Sequence, residues 1–362
     1  MKTIYYNIVL AMLMLPLIGF AGNDLNGRIT KQKKINKSFT VSKDALLEIS
    51  NSYGNVDIST WNENRIEIEV IIKTNGNDEE AVIERLREID VDFSNSSSHV
   101  KAVTRFEKKN SSWWSNIFSG NKNVNMEINY RVKAPVTNNV DLDNDYGGIS
   151  IDKLEGNAII SCDYGRLLIG ELLGNNNKLS FDYTRNSQVD FMKNGKINAD
   201  YSEFTLGEAV NLELSADYTD SNIKKVEHLT FNCDYGSLKV EKVRNLQGRG
   251  DYLGTRLGSL YGSAELGMDY GSLSIEKLMK SARKLDISSD YTGIRIGYDS
   301  NSSFRFSIET SYGSIKGVDG QDFSIDKRHQ EIGEDFMAGF FKEDSGAQIT
   351  INSSYGNITF TN

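Results

Sequence analysis

Leu229-Thr230-Phe231-Asn232-Cys233-Asp234-Tyr235-Gly236-Ser237-Leu238-Lys239-Val240 decides the fold. Apolar side chains alternate with polar ones up to Asp234, an Asp-Tyr-Gly corner follows, and alternation resumes in a new phase. Such a pattern describes two strands, each with one wet and one buried face, joined at a turn. The same corner returns at Tyr146, Tyr164, Tyr183, Tyr201, Tyr218, Tyr252, Tyr270, Tyr291 and Tyr312, at steps of 17 to 21 residues. Tyr53 and Tyr355 carry the same context beyond longer interruptions. A fixed period of this length marks a chain that stacks short supersecondary units.

Four residues before the tyrosine stand Leu142, Ile160, Leu179, Ile197, Leu214, Phe231, Leu266, Ile287, Ile308 and Ile351. Directly before it stands Asp in nine successive repeats, among them Asp163, Asp182, Asp200, Asp217 and Asp234. Gly147, Gly165, Gly236, Gly271, Gly313 and Gly356 follow the tyrosine and suit a positive φ at the turn, although Thr184, Thr219 and Thr292 at the same place mean that this conformation is not obligatory in every repeat. Proline serves a continuous ladder poorly, and Pro135 is the one proline beyond Pro16. The expected fold is mainly β, a single-chain right-handed parallel β-helix with coils of about 18 residues. An outer-membrane barrel fits less well, because it needs strands of about 9–11 residues and two aromatic girdles.

The expected organisation has six parts. Residues 1–21 read as a signal peptide, with Lys2 before the apolar run Ile8 to Leu17 and Gly19-Phe20-Ala21 at the cleavage point. Residues 22–60 hold the first strands, and 61–135 form a small α/β insertion that caps the N-terminal end. Within the insertion, Asn77-Asp78-Glu79-Glu80 opens a helix with Val82 and Leu86 on its apolar face. Residues 136–316 are regular coils, 317–346 an irregular insertion whose Phe323, Ile332, Phe336, Met337, Phe340 and Phe341 pack on the rod, and 347–362 the final coil. The implied location is outside the cytoplasm: the periplasm, the outer-membrane surface or the medium. No later stretch has the roughly 20 apolar residues of a membrane-spanning helix.

The formal charge is -9, and -10 once Lys2 is removed with the leader, which argues against a nucleic-acid partner. Cys162 and Cys233 lie four repeats apart, roughly 19 Å at about 4.8 Å per strand, whereas disulfide Cα atoms lie within about 7 Å. Two free, buried thiols are therefore expected.

Chemistry is harder to find. His99, His228 and His329 lack metal-ligand spacing, and no metal or cofactor is expected. There is no phosphate loop and no nucleophile elbow. Arg244, Arg249 and Arg256 near Asp251 form the one local departure from even spacing, and they also suit an ordinary charged face. The tyrosine column reads first as a structural stack and second as an aromatic strip for sugar rings. The aspartate column reads first as turn hydrogen-bond acceptors and second as a calcium ladder, although the Gly-Gly-x-Gly-x-Asp signature is absent. Trp113, Trp114, Ile117 and Phe118 sit in a polar loop, either plugging the core's end or anchoring a partner.

Asn51-Ser52-Tyr53-Gly54-Asn55-Val56, Tyr130-Arg131-Val132-Lys133-Ala134-Pro135 and the Asp-Tyr-Gly-x-Leu-x-Ile repeats resemble a bacterial family called "putative adhesin", a domain of unknown function. The resemblance implies an exported β-helix and brings no catalytic residues. Function is thus expected to be non-enzymatic binding of a glycan or a cell-envelope protein. The alternatives are a polysaccharide lyase or hydrolase, and a structural or regulatory envelope partner.

Overall fold

The computed structural model describes residues 27–107 and 124–361. The chain is mainly β, with one short helix among the described residues and 24 strands joined in one continuous hydrogen-bonded sheet. Each tyrosine repeat gives one strand to each of two parallel stacks. The first stack contains Leu46–Ser52, Asn139–Asp145, Ala158–Asp163 and Asn177–Asp182, and continues through Lys284–Asp290. The second contains Val56–Trp61, Ile149–Leu154 and Leu167–Leu172, and continues through Gly293–Tyr298. Register is in step: Asp145 pairs with Asp163, Asp182 with Asp200, Asp200 with Asp217 and Asp251 with Asp269.

In-step register puts like residues over like, and this builds the core. Leu142, Ile160, Leu179, Ile197, Leu214, Leu266 and Ile287 are buried in one column, and Val240, Leu257, Ile275 and Ile296 in another. A third buried column runs through Leu154, Leu172, Met192, Ala209, Val226, Val243, Leu260 and Leu278. Each fully buried Leu or Ile contributes about 1.5–3 kcal/mol. One charged residue in any column would leave a carboxylate or ammonium without water between two apolar neighbours.

Both ends are finished with antiparallel strands. At the N-terminal end, Leu46–Ser52 is flanked by His99–Phe106 and then Ile89–Asn95. Val56–Trp61 is flanked by Asn125–Pro135, Arg65–Gly76 and finally Ile29–Thr40. The helix Glu79–Glu88 starts where Asp78 accepts the Ala81 N–H at 3.1 Å, and it buries Val82. Ile29–Thr40, expected among the first coil strands, is instead the outermost edge strand. Its Lys31, Lys33, Lys34 and Lys37 leave too few apolar positions for an interior ladder, and lysines on an edge deter pairing with other chains.

Two corrections arise at the other end. Residues 317–346 are not irregular: Phe323–Glu331 and Glu334–Phe341 form an antiparallel hairpin, and its second strand pairs with Phe304–Ser311. Met337 and Phe341 are buried, whereas Ile332, expected to pack, projects fully exposed from the hairpin turn. The final coil is not last in space. Ala347–Ser354 lies between Lys284–Asp290 and Phe304–Ser311, parallel to both, and Asn357–Thr361 lies between Gly293–Tyr298 and Ser314–Lys316. The 304–316 repeat is thereby displaced by one rung.

Candidate functional site

All twelve corner tyrosines form one column, in the order Tyr53, 146, 164, 183, 201, 218, 235, 252, 270, 291, 355, 312. Successive ring centroids are 4.6–5.3 Å apart and the planes diverge by 11° at most. Eleven of the rings are 43–68% exposed. At this rung spacing the column is on the order of 50 Å long.

The backbone at these corners differs from the expectation. The tyrosines themselves hold the left-handed conformation, with φ between 50° and 65°. Of the glycines that follow them, only Gly236 has a φ in the positive range, at 155°. Those glycines serve close approach instead. A Cβ on Gly147 would stand 1.9 Å from the Gly54 carbonyl oxygen, and one on Gly165 2.0 Å from that of Gly147. Thr219 and Thr292 occupy the same place in other rungs, where their buried hydroxyls donate to carbonyls of the Ala199 and Asp217, or Met268 and Asp290, peptides. Left-handed backbone costs a residue with a Cβ about 1–2 kcal/mol. Two ring contacts at about 0.5–1.5 kcal/mol each offset that cost.

Stacking also decides what the column can offer a ligand. Each inner ring has both faces against its neighbours, so solvent meets ring edges and phenol hydroxyls. At the ends of the column, Tyr53 meets the edge of Phe106 at 6.2 Å, and Tyr312, beside Gly333, is the most exposed ring at 68%. Along the inner rungs the strip therefore presents edges and hydroxyls, and the terminal Tyr312 ring is the most open to a ligand.

Beside the rings runs the aspartate ladder. Asp163 accepts the backbone N–H of Asp182, Asp182 that of Asp200, Asp200 that of Asp217, Asp217 that of Asp234 and Asp234 that of Asp251, at 3.0–3.3 Å. One carboxylate oxygen is thus bound to the next rung. Among the described residues no ion pair of a column aspartate is found; Arg244 instead pairs with Glu227 at 2.7 Å and Lys225 with Glu208 at 2.6 Å. Partial loss of hydration, followed by the neighbouring carboxylates, raises the pKa of Asp145, Asp182, Asp217 and Asp251 above the ordinary aspartate value. The phenols of Tyr183 and Tyr235 are raised by loss of hydration, then by the neighbouring phenols and, after them, the carboxylates. The corner is consequently a continuous acidic ridge.

A third ladder escaped the sequence reading. Asn139, Asn157, Asn176, Asn194, Asn211 and Asn245 stand seven residues before their tyrosines, a spacing that was there to be counted. Their amides link rungs at the far turn: Asn139 accepts the Asn157 N–H, Asn157 that of Asn176 and Asn245 that of Ser263, while Asn211 donates to Asn194. A buried network of Asn51, Asn144, Thr104 and Tyr130 closes the N-terminal end, with Asn51 donating to Asn144 at 2.9 Å.

Other candidates fall apart in space. His99 contacts Glu48, His228 contacts Asn245 and His329 contacts Glu331, so the three imidazoles serve separate surfaces. No group of three metal-ligating side chains occurs among the described residues. Arg244 is held by Glu227, and Asp251 belongs to the ladder, so that neighbourhood has no acid–base pair. A hollow of about 420 Å³ on the helix Glu79–Glu88 is lined by Glu80, Ile83, Glu84, Arg87, Glu88 and Glu107, which offers no nucleophile. Cys162 and Cys233 are buried and unpaired, and burial pushes both thiols up to about 12. Trp113, Trp114, Ile117 and Phe118, like the signal-peptide residues, lie outside the described residues. Among the described residues no helix is long and apolar enough to cross a membrane.

No family model matches the sequence, and a comparison with curated proteins finds no relative. Among solved structures, the chain is similar to a "putative cell adhesion protein" from Clostridium sporogenes at 12% identity and TM-score 0.18, covering 91% of this chain and 99% of that one. It is also similar to a "putative lipid binding protein" from Parabacteroides distasonis (10% identity, TM-score 0.34) and a "putative adhesin" from Parabacteroides merdae (8%, 0.34), each covering 91% of this chain and 97% of the other. Likeness at this level carries no argument about activity or ligand.

Proposed function

We propose that the protein is an exported, non-enzymatic binding scaffold: a right-handed parallel β-helix that presents its repeated faces to a glycan or a cell-envelope protein. The observation that carries this reading is the column of stacked tyrosines, eleven of them exposed, beside carboxylates that accept a backbone N–H of the next rung. Phenol hydroxyls and carboxylate oxygens recurring every rung supply hydrogen-bond partners at the spacing of a polymer, and a long polymer gains by engaging many equivalent sites at once. Hydrolysis of a glycosidic bond generally uses two carboxyls set at a defined separation around that bond. An evenly spaced ladder singles out no such pair.

The test compares the parent with Tyr201→Phe/Tyr218→Phe/Tyr235→Phe, which keeps the stack and removes three hydroxyls, on immobilised polysaccharides and in envelope-protein capture. Loss of binding at unchanged melting temperature supports the ridge as the site. Undiminished binding refutes it, and loss only in Trp113→Ala/Trp114→Ala moves the site to that loop. Depolymerisation of acidic polysaccharide by the purified chain would replace the reading with the enzymatic one.

A further inference from the structure

The 347–361 repeat occupies a slot that its own chain is able to close without it. Leu285 pairs with Ile349 and Ile349 with Phe306; Ile287 pairs with Ile351 and Ile351 with Ile308. In the second stack Ile294 pairs with Ile358, and Ile358 with Ile315. Tyr355 sits 4.6 Å from Tyr291 and 5.0 Å from Tyr312. Every contact on one side of the inserted rung is therefore in register with a contact of the same kind on the other. Removing the rung would let Phe306 meet Leu285, Ile308 meet Ile287 and Tyr312 meet Tyr291, so two rung interfaces become one rather than none.

The connections on either side are short. Residues 299–303 carry the chain past the inserted rung, and 342–346 lead back into it, with Lys342 and Gly346 at φ 61° and 83°. Arg305, on the displaced rung, pairs with Asp344 of the second connection and with Asp326 of the hairpin. Arg305 grips Asp344 with two parallel hydrogen bonds and Asp326 with a third, so a surface latch holds the connection against the displaced rung and must open for the segment to leave.

We infer that residues 347–361 form an exchangeable rung, and that the slot between the 284–298 and 304–316 repeats accepts the same segment from a second copy of this chain. A short connection that re-enters its own fold is the usual hinge for such an exchange. The partner is specified by chemistry: a parallel strand pair with Ala347, Ile349, Ile351, Ile358 and Phe360 facing inward, all buried. This inference is independent of the ligand reading above.

The test uses two full-length chains, Ser288→Cys and Asn352→Cys, each also carrying Cys162→Ala/Cys233→Ala so that the introduced thiol is its single cysteine. Ser288 and Asn352 are register partners on exposed positions. The chains are mixed, held just below the melting midpoint, cooled and oxidised. Exchange places one thiol of each chain side by side at an effective concentration of ~mM, against µM for colliding chains. The mixed dimer should then exceed either like dimer by on the order of 10²-fold. Mixed and like dimers in the proportions of random collision would overturn the inference, as would the absence of any dimer. Lys284→Cys with Gln348→Cys, another exposed register pair, repeats the test should either first variant misfold.

Discussion

Neutralising the aspartate ladder should stabilise this protein, and the sign of that effect tests the account of the corner. Asp217 donates its backbone N–H to Asp200 at 3.2 Å, and its carboxylate accepts that of Asp234 at 3.2 Å. An asparagine oxygen can accept the same hydrogen, so Asp217→Asn keeps the link and removes the charge. Like charges one rung apart repel by a little under about 1 kcal/mol in bulk water. Exposed pairs fall at about 0.2–1 kcal/mol once side-chain freedom and salt are counted. The triple variant Asp200→Asn/Asp217→Asn/Asp234→Asn removes four neighbour repulsions, those with Asp182 and Asp251 included. It should gain about 2–3 kcal/mol, or roughly 3–6 °C in melting temperature at low salt.

The pH dependence has the same origin. A raised folded pKa means that the protonated carboxyl is favoured in the folded chain. The contribution of Asp182 and Asp217 is therefore fully present below the unfolded pKa of about 3.9 and is lost as pH rises through the folded value. Parent and triple variant should converge in melting temperature as pH falls from 7 towards that range, and as salt rises. Circular dichroism melts over a grid of pH and ionic strength measure both trends. A triple variant that melts lower than the parent at low salt would refute the reasoning. Were that drop matched by a chelator acting on the parent, the carboxylates would be holding a cation.

Tyr201→Ala should cost more stability than Tyr201→Gly, by about 1 kcal/mol in urea titrations, because both lose the ring stack but only glycine relaxes the φ of 52°. In an ordinary strand the order is the reverse, so equal effects would remove the argument from backbone conformation. Gly147→Ala should destabilise by about 2–3 kcal/mol or more, since its Cβ meets a carbonyl oxygen at 1.9 Å, whereas Gly293→Ala, with nothing within 4 Å, should be close to neutral. Cys162 and Cys233 should resist a thiol reagent at pH 8 until denaturant is added, because burial pushes both to about 12. Labelling of the native protein at the rate of a free thiol would contradict their place in the core.

How much of this was legible depends on whether a feature repeats. Leu214, Asp217 and Tyr218 announce their roles because the same residues return at Leu266, Asp269 and Tyr270, and like side chains over like fix the register. The corner's backbone is hard to read because Gly147 has the conformational freedom that Tyr146 takes up: what the glycine supplies is a missing Cβ where two rungs crowd. Asn157 and Asn245 belong to a fainter period, since asparagine holds that position in six of the twelve repeats and tyrosine holds its own in all.

Order is a different kind of information. Ile349, Ile351 and Tyr355 satisfy every requirement of the last rung and equally those of an inner one, because the repeat specifies what a neighbour must look like and not which neighbour it is. The connections and the hairpin carry that choice. Glu334–Phe341 pairs with one edge of Phe304–Ser311 and leaves the inner edge for Ala347–Ser354. Residues 299–303 bypass a rung, and 342–346 return beneath the displaced one, held there by Arg305 and Asp344. The feature that makes the stack readable, equivalence of its rungs, is thus the one that leaves its sequence of assembly unwritten, and it passes that decision to the non-repeating segments.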